Sequence, residues 1–148
     1  MKKLILFLIA LIVATASGYA FDKYTIDRSD LPQTAQDFLT THFPKAKVGM
    51  IKVDKHLLKK TDYDVRLVNG YTIEFSNAGK WTSVDCKKSA VPEAIIPRTI
   101  RNYVAKNYPE VKIVKIEKKS TKYEVTLSDD VELTFSLLGQ FKSVKIDD

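Results

Sequence analysis

The residues that could carry chemistry in this chain are few and scattered. The two histidines, His42 and His56, and the single cysteine, Cys86, stand in no local motif with metal-ligand spacing. A zinc site needs three or four such ligands within reach of one another, so we predict no metal site. Cys86 has no second cysteine to pair with inside the chain. It is interpreted as a small apolar side chain at a strand end, with an intermolecular disulfide or a reactive thiol as alternatives.

Three carboxylates, Asp62, Asp64 and Glu74, are the best candidates for acid-base catalysis. They alternate with apolar residues along two predicted strands, so they project from one face of a sheet. Arg66 shares that face, and such a mixture of charges is typical of the solvated side of an antiparallel sheet. No serine lies in a nucleophile motif, and the five glycines form no phosphate-binding loop. We therefore predict no catalytic residues and no cofactor, and we predict that the protein is not an enzyme.

Two similar stretches provide the helices that organise the rest of the chain. Residues 31–44 recur as residues 96–109, with both prolines and every apolar position kept. Their apolar residues fall at i, i+4, i+7, i+8 and i+12, which lines one face of an α-helix. A proline suits the first turn of each helix, and a second proline ends it. The sequence therefore predicts two amphipathic helices, each of which must pack on an apolar surface.

After each closing proline the apolar period changes from 3.6 to 2, which indicates strands. The predicted fold class is α+β, with two tandem repeats that each pack one amphipathic helix on a four-stranded antiparallel sheet. The predicted strands cover 47–53, 62–67, 71–75 and a run from 81 in the first repeat, and 112–117, 123–127, 131–135 and a run from 141 in the second.

The turn between the middle strands follows from their register. A three-residue loop at 68–70 sets Val65 opposite Ile73, whereas a two-residue turn would mix the two faces of the sheet. We therefore predict this loop with Gly70 at positive φ. The second repeat has Asp130 in the corresponding place, and Asp tolerates that conformation less well than Gly.

Two further features distinguish the predicted hairpins. Five residues within 54–61 have no counterpart in the second repeat, so they lengthen the first hairpin of repeat one. Trp81 and Val84 cannot share a face of one strand without a bulge. The sequence leaves open which of the two turns inward.

The N-terminus has the three parts of a secretory signal, with Lys2 and Lys3, an apolar run at 4–13 and a small-residue stretch. Ten apolar residues are too few to span a membrane, which needs about 20. We predict a signal peptide over 1–20, with cleavage after Ala20 or alternatively after Ala16. The protein is therefore predicted to be periplasmic or secreted.

The remaining boundaries and the charge pattern limit the classes of partner. We predict a leader at 21–30, either poorly ordered or containing a short edge strand, a first repeat at 31–85, a linker at 86–94 and a second repeat at 95–148. The linker is so short that the repeats are expected to pack side by side, and the sequence leaves open whether their sheets join. The formal net charge of +6 is spread along the chain rather than concentrated in a basic stripe. Nucleic-acid binding requires such a stripe and is not predicted.

A series of short motifs recurs along the chain: Leu-Pro, the helix and an aromatic-Pro, then Tyr63-Asp64-Val65, Asn69-Gly70, Ile73-Glu74-Phe75 and Gly79-Lys80-Trp81, with Val91-Pro92 in the linker. In these motifs the sequence resembles the PepSY-like family, a group of β-lactamase-inhibitor-like proteins, over residues 31–146. The resemblance implies a small exported protein of the Gram-negative envelope with tandem helix-and-sheet units, and it implies binding or inhibition of envelope proteins. The family has no established catalytic residues to carry over. The second repeat departs from the family pattern at Asp130 and Leu137, which affects its turns.

Exposed aromatic and apolar residues are the best indicators of a binding surface. Two adjacent leucines at a hairpin tip are unusual, because tips favour polar residues; packing against the neighbouring unit is the alternative explanation. The predicted partner-binding residues are Leu57 and Leu58 in the insertion, Tyr71, Trp81 and Phe141 near strand ends, and Leu137 and Leu138 in the last turn.

Together these observations predict a non-enzymatic exported binding protein. It would inhibit or regulate an envelope protein or a protease by protein-protein contact. The alternative is a periplasmic sensor or carrier that holds a small ligand or peptide in the groove between the repeats.

Overall fold

The computed structural model of this protein describes residues 22–55 and 61–146. The predicted signal peptide and its cleavage site lie outside the described residues. The same is true of His56 and of the predicted partner-binding residues Leu57 and Leu58. Within the described ranges, no helix combines the length and apolar character needed to cross a membrane.

The described residues form two α-helices and nine β-strands. Two short 3-10 turns, Arg28–Asp30 and Glu93–Ile95, precede the helices. The helices are α1 (Gln33–His42) and α2 (Arg98–Asn107). The strands are β1 (Lys23–Thr25), β2 (Val48–Asp54), β3 (Asp62–Leu67), β4 (Thr72–Phe75), β5 (Trp81–Asp85), β6 (Ile113–Lys118), β7 (Lys122–Leu127), β8 (Val131–Ser136) and β9 (Phe141–Ile146).

Both predicted amphipathic helices are confirmed. Each begins directly after a proline, where the missing N–H would have no partner inside the helix. At the other end, the Phe43 N–H donates to the Leu39 carbonyl at 2.9 Å, and Tyr108 does the same with Val104 at 2.8 Å. The buried residues of each helix stand four apart, Ala35 and Leu39 in α1 and Ile100 and Val104 in α2.

The prediction of two units, each with its own four-stranded sheet, is wrong. The strands form one nine-stranded antiparallel sheet in the order β1 to β9, so the protein is mostly sheet. Strand β5 pairs with β6, with Val84 opposite Ile116, and β1 adds a ninth strand beside β2. Separate sheets would have left two more strand edges with unpaired backbone groups. Pairing β5 with β6 satisfies these backbone groups, and the side chains of Val84 and Ile116 are both fully buried.

One row of apolar side chains crosses the sheet and forms the centre of the core. Both helices lie on this face. The Phe38 ring of α1 packs on Phe75 and the Tyr103 ring of α2 packs on Phe135, with 5.4 Å between the ring centroids in each pair. The row consists of seven fully buried residues: Ile51, Val65, Ile73, Val84, Ile116, Val125 and Leu133.

The predicted loop at 68–70 is confirmed. Val65 lies opposite Ile73, and Gly70 has φ of +95°. Asp130 adopts the same kind of conformation, with φ of +68°. The second turn therefore keeps its geometry despite a residue that disfavours it.

A bulge resolves the orientation of Trp81 and Val84. Trp81 pairs with Phe75 and Val84 with Ile73, so the strand carries one extra residue between the two pairs. The bulge turns both side chains toward the helices, and Trp81 packs against the core. The sequence had left this choice open.

Candidate functional site

The hairpin between β8 and β9 carries an apolar tip that is held against helix α2. The Ser136 N–H donates to the Gln140 carbonyl at 2.8 Å, which closes the turn. Gly139 has φ of +82°, and a Cβ added there would come within 2.8 Å of Thr99 Cβ at the start of α2. Because only glycine allows this close approach, the tip has a defined position. Leu137 and Leu138 protrude from it, with Leu138 81% exposed.

Strand β9 continues this apolar surface along the end of the sheet. All six of its residues are exposed. Phe141, Val144 and Ile146 pair with core residues of β8, so they extend the apolar face beyond the helices. The Phe141 ring also stacks on Tyr103, with centroids 4.7 Å apart. The resulting surface is anchored to α2 at one end and open along its outer side.

We call this surface the β9 rim. It contains five of the nine exposed large hydrophobic residues found among the described residues. As the last strand in the sheet order, β9 has one side paired with β8 and presents the backbone groups of its other side. Its members are Leu137, Leu138, Phe141, Val144 and Ile146.

The structure brings together only part of the predicted partner-binding set. Leu137, Leu138 and Phe141 belong to the β9 rim. Tyr71 and Trp81 do not, because both are half-buried in the first half of the sheet and pack against its core. The Tyr71 ring meets Phe43 edge-on, with centroids 6.1 Å apart.

Sequence reasoning missed two members of the rim, Val144 and Ile146. Their alternation with polar residues in the last strand of the chain was the available signal. A strand with an apolar face that lies at the edge of a sheet presents apolar side chains together with unpaired backbone groups.

The face opposite the helices carries the carboxylates that were considered for catalysis. Asp64 lies opposite Glu74 on neighbouring strands. Burial raises the pKa of both carboxyl groups, and nearby Asp54 and Asp64 respectively raise them further. Among residues 22–55 and 61–146, no group of three His, Cys, Asp or Glu side chains is arranged to hold a metal ion.

The corresponding face of the second half is neutralised by lysines. Glu124 forms ion pairs with Lys119 at 2.9 Å and with Lys122 at 3.0 Å. The hydrogen bonds from these two lysines lower the pKa of Glu124. On this face of the sheet, the carboxyl pKa is therefore raised in the first half, at Asp64 and Glu74, and lowered in the second half, at Glu124.

Cys86 and His42 are placed in the protein interior or at its margin. Cys86 is fully buried, and burial, together with Asp85, raises its pKa to about 11. A thiol with that pKa is protonated at neutral pH and is a poor nucleophile. His42 packs against the Phe38 ring at 4.6 Å, and burial lowers its pKa.

A concave feature, which we call the α2 cavity, lies beside helix α2. It has a volume of about 460 Å³ and is formed by the linker, one side of α2 and the segment that leads into β6. Its wall is mostly apolar, with Val91, Ile96, Val104, Tyr108 and Ile113. Arg101, Lys112 and Glu93 contribute the charges at its border.

These features define a class of small, sheet-based protein with helices on one face and an open apolar strand at one edge. The family model described as beta-lactamase-inhibitor-like and PepSY-like matches residues 61–143. This chain belongs to the PepSY-like family. The family that the sequence predicted is thereby confirmed.

Solved structures from Bacteroides share the fold. A protein from Bacteroides thetaiotaomicron, described as a proposed calcium-regulated periplasmic protein, is 40% identical with a TM-score of 0.80; the match covers 84% of this chain and 97% of that one. A periplasmic protein of unknown function from Bacteroides vulgatus is 38% identical with a TM-score of 0.82, covering 85% and 100%.

A second periplasmic protein from Bacteroides vulgatus is 43% identical, with a TM-score of 0.80 and coverage of 84% and 97%. Comparison with curated proteins gives no match. Because all three neighbours are described as periplasmic, they support a periplasmic location for this chain.

Proposed function

We propose that this protein is a non-enzymatic binding protein of the bacterial envelope, and that it binds an extended segment of a partner protein along the β9 rim. The observation that carries the proposal is the concentration of exposed apolar side chains on one edge strand. Inhibition or regulation of an envelope protein or protease is the narrower form of this proposal. It is supported by the description of the family as beta-lactamase-inhibitor-like.

The rim has the two properties that strand addition requires. The outer backbone groups of an edge strand can form a hydrogen-bonded ladder with an incoming segment, which provides affinity. The side chains of Phe141, Val144 and Ile146 on one face provide selectivity for a segment with apolar residues at alternate positions. The Gly139 turn holds Leu138 at the end of this strand, where it can contact the same segment.

The test is a capture experiment from envelope extract with the protein tagged at residue 21. The rim variant carries Leu138→Ser and Ile146→Ser. The matched control carries Tyr24→Ser and Ile26→Ser, which removes two exposed apolar side chains at the opposite end of the sheet. Thermal unfolding of all three proteins establishes that each is folded.

The proposal predicts that the parent and the control capture the same partner and that the rim variant loses it. Retention of the partner by the rim variant would contradict the proposal. Loss from the control alone would move the binding surface to the β1 edge.

A second candidate function is the carriage of a small ligand in the periplasm. The α2 cavity favours it, because ligand pockets typically enclose about 300 to 1,000 Å³ with mostly apolar walls and a few polar groups. The two candidates use different surfaces, so they can be tested separately.

A further inference from the structure

Arg101, at the border of the α2 cavity, is a cation with an unused hydrogen-bond donor. The Nε atom of Arg101 is buried and has no hydrogen-bond partner among the described residues. Among the described residues, Arg101 forms an ion pair with Glu93, with 4.0 Å between Arg101 Nη1 and Glu93 Oε2. That is beyond hydrogen-bond distance, and the Glu93 side chain is 88% exposed. Within residues 22–55 and 61–146 the guanidinium is therefore held only weakly, and the Arg101 side chain is 39% exposed.

The first half of the molecule shows how the same position can be satisfied internally. By sequence offset, Gln36 of α1 corresponds to Arg101 of α2. The Gln36 Nε2 donates to the Leu31 carbonyl at 2.8 Å. The cation in that half is Arg28, which donates to Thr40 Oγ1 at 3.3 Å. In the second half the cation stands on the helix instead, at the border of the cavity.

The charges around the cavity favour an anionic occupant. Arg101 and Lys112 contribute two positive charges to its border, and Glu93 contributes one negative charge. The rest of the lining is mostly apolar. A guanidinium offers several N–H donors in a geometry that suits a carboxylate.

We propose that the α2 cavity binds a small amphiphilic monocarboxylate, with its apolar body along the cavity wall and its carboxylate on Arg101. This inference deepens the second candidate function and does not depend on the β9 rim. Reorientation of the Arg101 side chain toward the ligand would bring Nε and one Nη to the same carboxylate.

The test is an NMR titration of the full chain with decanoate and, separately, with 1-decanol. The two probes share an alkyl chain and differ in the charged group. We expect decanoate to bind up to about fivefold more tightly, which corresponds to the upper end of the range for a partly exposed ion pair. Glu93→Gln removes the competing carboxylate and is expected to strengthen decanoate binding further.

Two variants separate the guanidinium from general effects of charge. Arg101→Gln removes the cation but leaves an amide that can donate to the Ile96 carbonyl, as Gln36 does to Leu31. It is expected to reduce decanoate affinity to that of 1-decanol without changing 1-decanol binding. Arg98→Gln makes the same charge change at an exposed position of α2 and is expected to leave both affinities unchanged.

Equal binding of the two probes, or unchanged decanoate binding by Arg101→Gln, would overturn the carboxylate assignment while leaving ligand carriage intact. Binding of neither probe would overturn both the carboxylate assignment and the proposed carriage of a small ligand. If a tripeptide of apolar residues with a free C-terminus bound and decanoate did not, the occupant would be a peptide end, which contradicts the small-molecule assignment.

Discussion

Strands β5 and β9 hold corresponding positions in the two halves of the sheet, yet one is interior and the other is an edge. Val84 of β5 and Val144 of β9 each pair with a fully buried residue of the preceding strand, Ile73 and Leu133. Val84 has Ile116 of β6 on its other side and is fully buried. Val144 is 46% exposed.

The difference comes from the neighbouring strand and not from the residue type. The pattern extends to the strand ends, since Cys86 is fully buried whereas Ile146, at the corresponding position, is 68% exposed. In β5 this apolar surface is covered by β6. The β9 rim is the same surface with its outer side open, which is why we propose it as the partner-binding surface.

The largest difference between the two strands is expected in the free energy of unfolding when each of the two valines is replaced by alanine. Val84→Ala removes two buried methyl groups and leaves a cavity, so we expect a loss of about 2 to 3 kcal/mol in the free energy of unfolding. Val144→Ala is expected to cost less than about 1 kcal/mol, because about half of its side chain is already in water. Urea denaturation of both variants measures the difference, and equal losses would contradict the comparison.

A smaller change in the free energy of unfolding is expected when Gly70 and Asp130, which hold corresponding positions in the two turns, are each replaced by the other residue type. Gly70→Asp places a side chain at positive φ and is expected to destabilise the protein by about 1 kcal/mol. Asp130→Gly relieves the same conformation in the second half and is expected to stabilise it by about 0.5 kcal/mol. Thermal unfolding of the two single variants tests the prediction. Destabilisation by Asp130→Gly would show that the aspartate makes an interaction that outweighs its backbone strain.

The smallest changes in the free energy of unfolding, opposite in sign in the two halves, are expected from substitutions on the polar face, which is the face of the sheet opposite the helices. The folded-state pKa of Asp64 is raised by burial and by Asp54, so its contribution to stability is present at acidic pH and is lost as the pH rises through that pKa. Asp64→Asn is therefore expected to stabilise the protein at pH 7, by less than about 1 kcal/mol after solvent screening. The gain should disappear below about pH 4, near the unfolded pKa of aspartate.

Glu124 provides the matched case in the second half. Its pKa is lowered by hydrogen bonds from Lys119 and Lys122, so its contribution is present at neutral pH and is lost as the pH falls through the lowered pKa. Glu124→Gln is expected to destabilise the protein at pH 7, again by less than about 1 kcal/mol. Urea denaturation at pH 7 and at acidic pH measures both variants. The same sign of effect for Asp64→Asn and Glu124→Gln at pH 7 would contradict this account of the polar face.

The local features of this fold could be predicted from the sequence because they depend on short-range periodicity. The helix faces, the loop at Gly70 and the pairing of Val65 with Ile73 all follow from apolar spacing within a few dozen residues. The pairing of β5 with β6 does not, because α2 and its flanking segments separate the two strands in the chain. Two four-stranded sheets and one joined sheet have the same local pattern, so only the tertiary structure distinguishes them.

The binding features were predictable to the extent that they depended on residue type. Leu137 and Leu138 stood out as apolar residues in a turn, and both belong to the β9 rim. Val144 resembles Val84 in its sequence surroundings, so its exposure depends on strand order alone. The proposed role of Arg101 likewise needed the structure, because an arginine on an amphipathic helix is ordinarily solvated and the cavity beside Arg101 is visible only in the fold.

The most direct test of the central claim is site-specific photo-crosslinking in the cell envelope. A photoreactive residue is placed at Val144 on the β9 rim or, as the matched control, at Tyr24 on the opposite edge strand. The account predicts a discrete crosslinked partner from position 144 and none of that kind from position 24. A partner that crosslinks from position 24 and not from position 144 would contradict the assignment of the β9 rim as the binding surface.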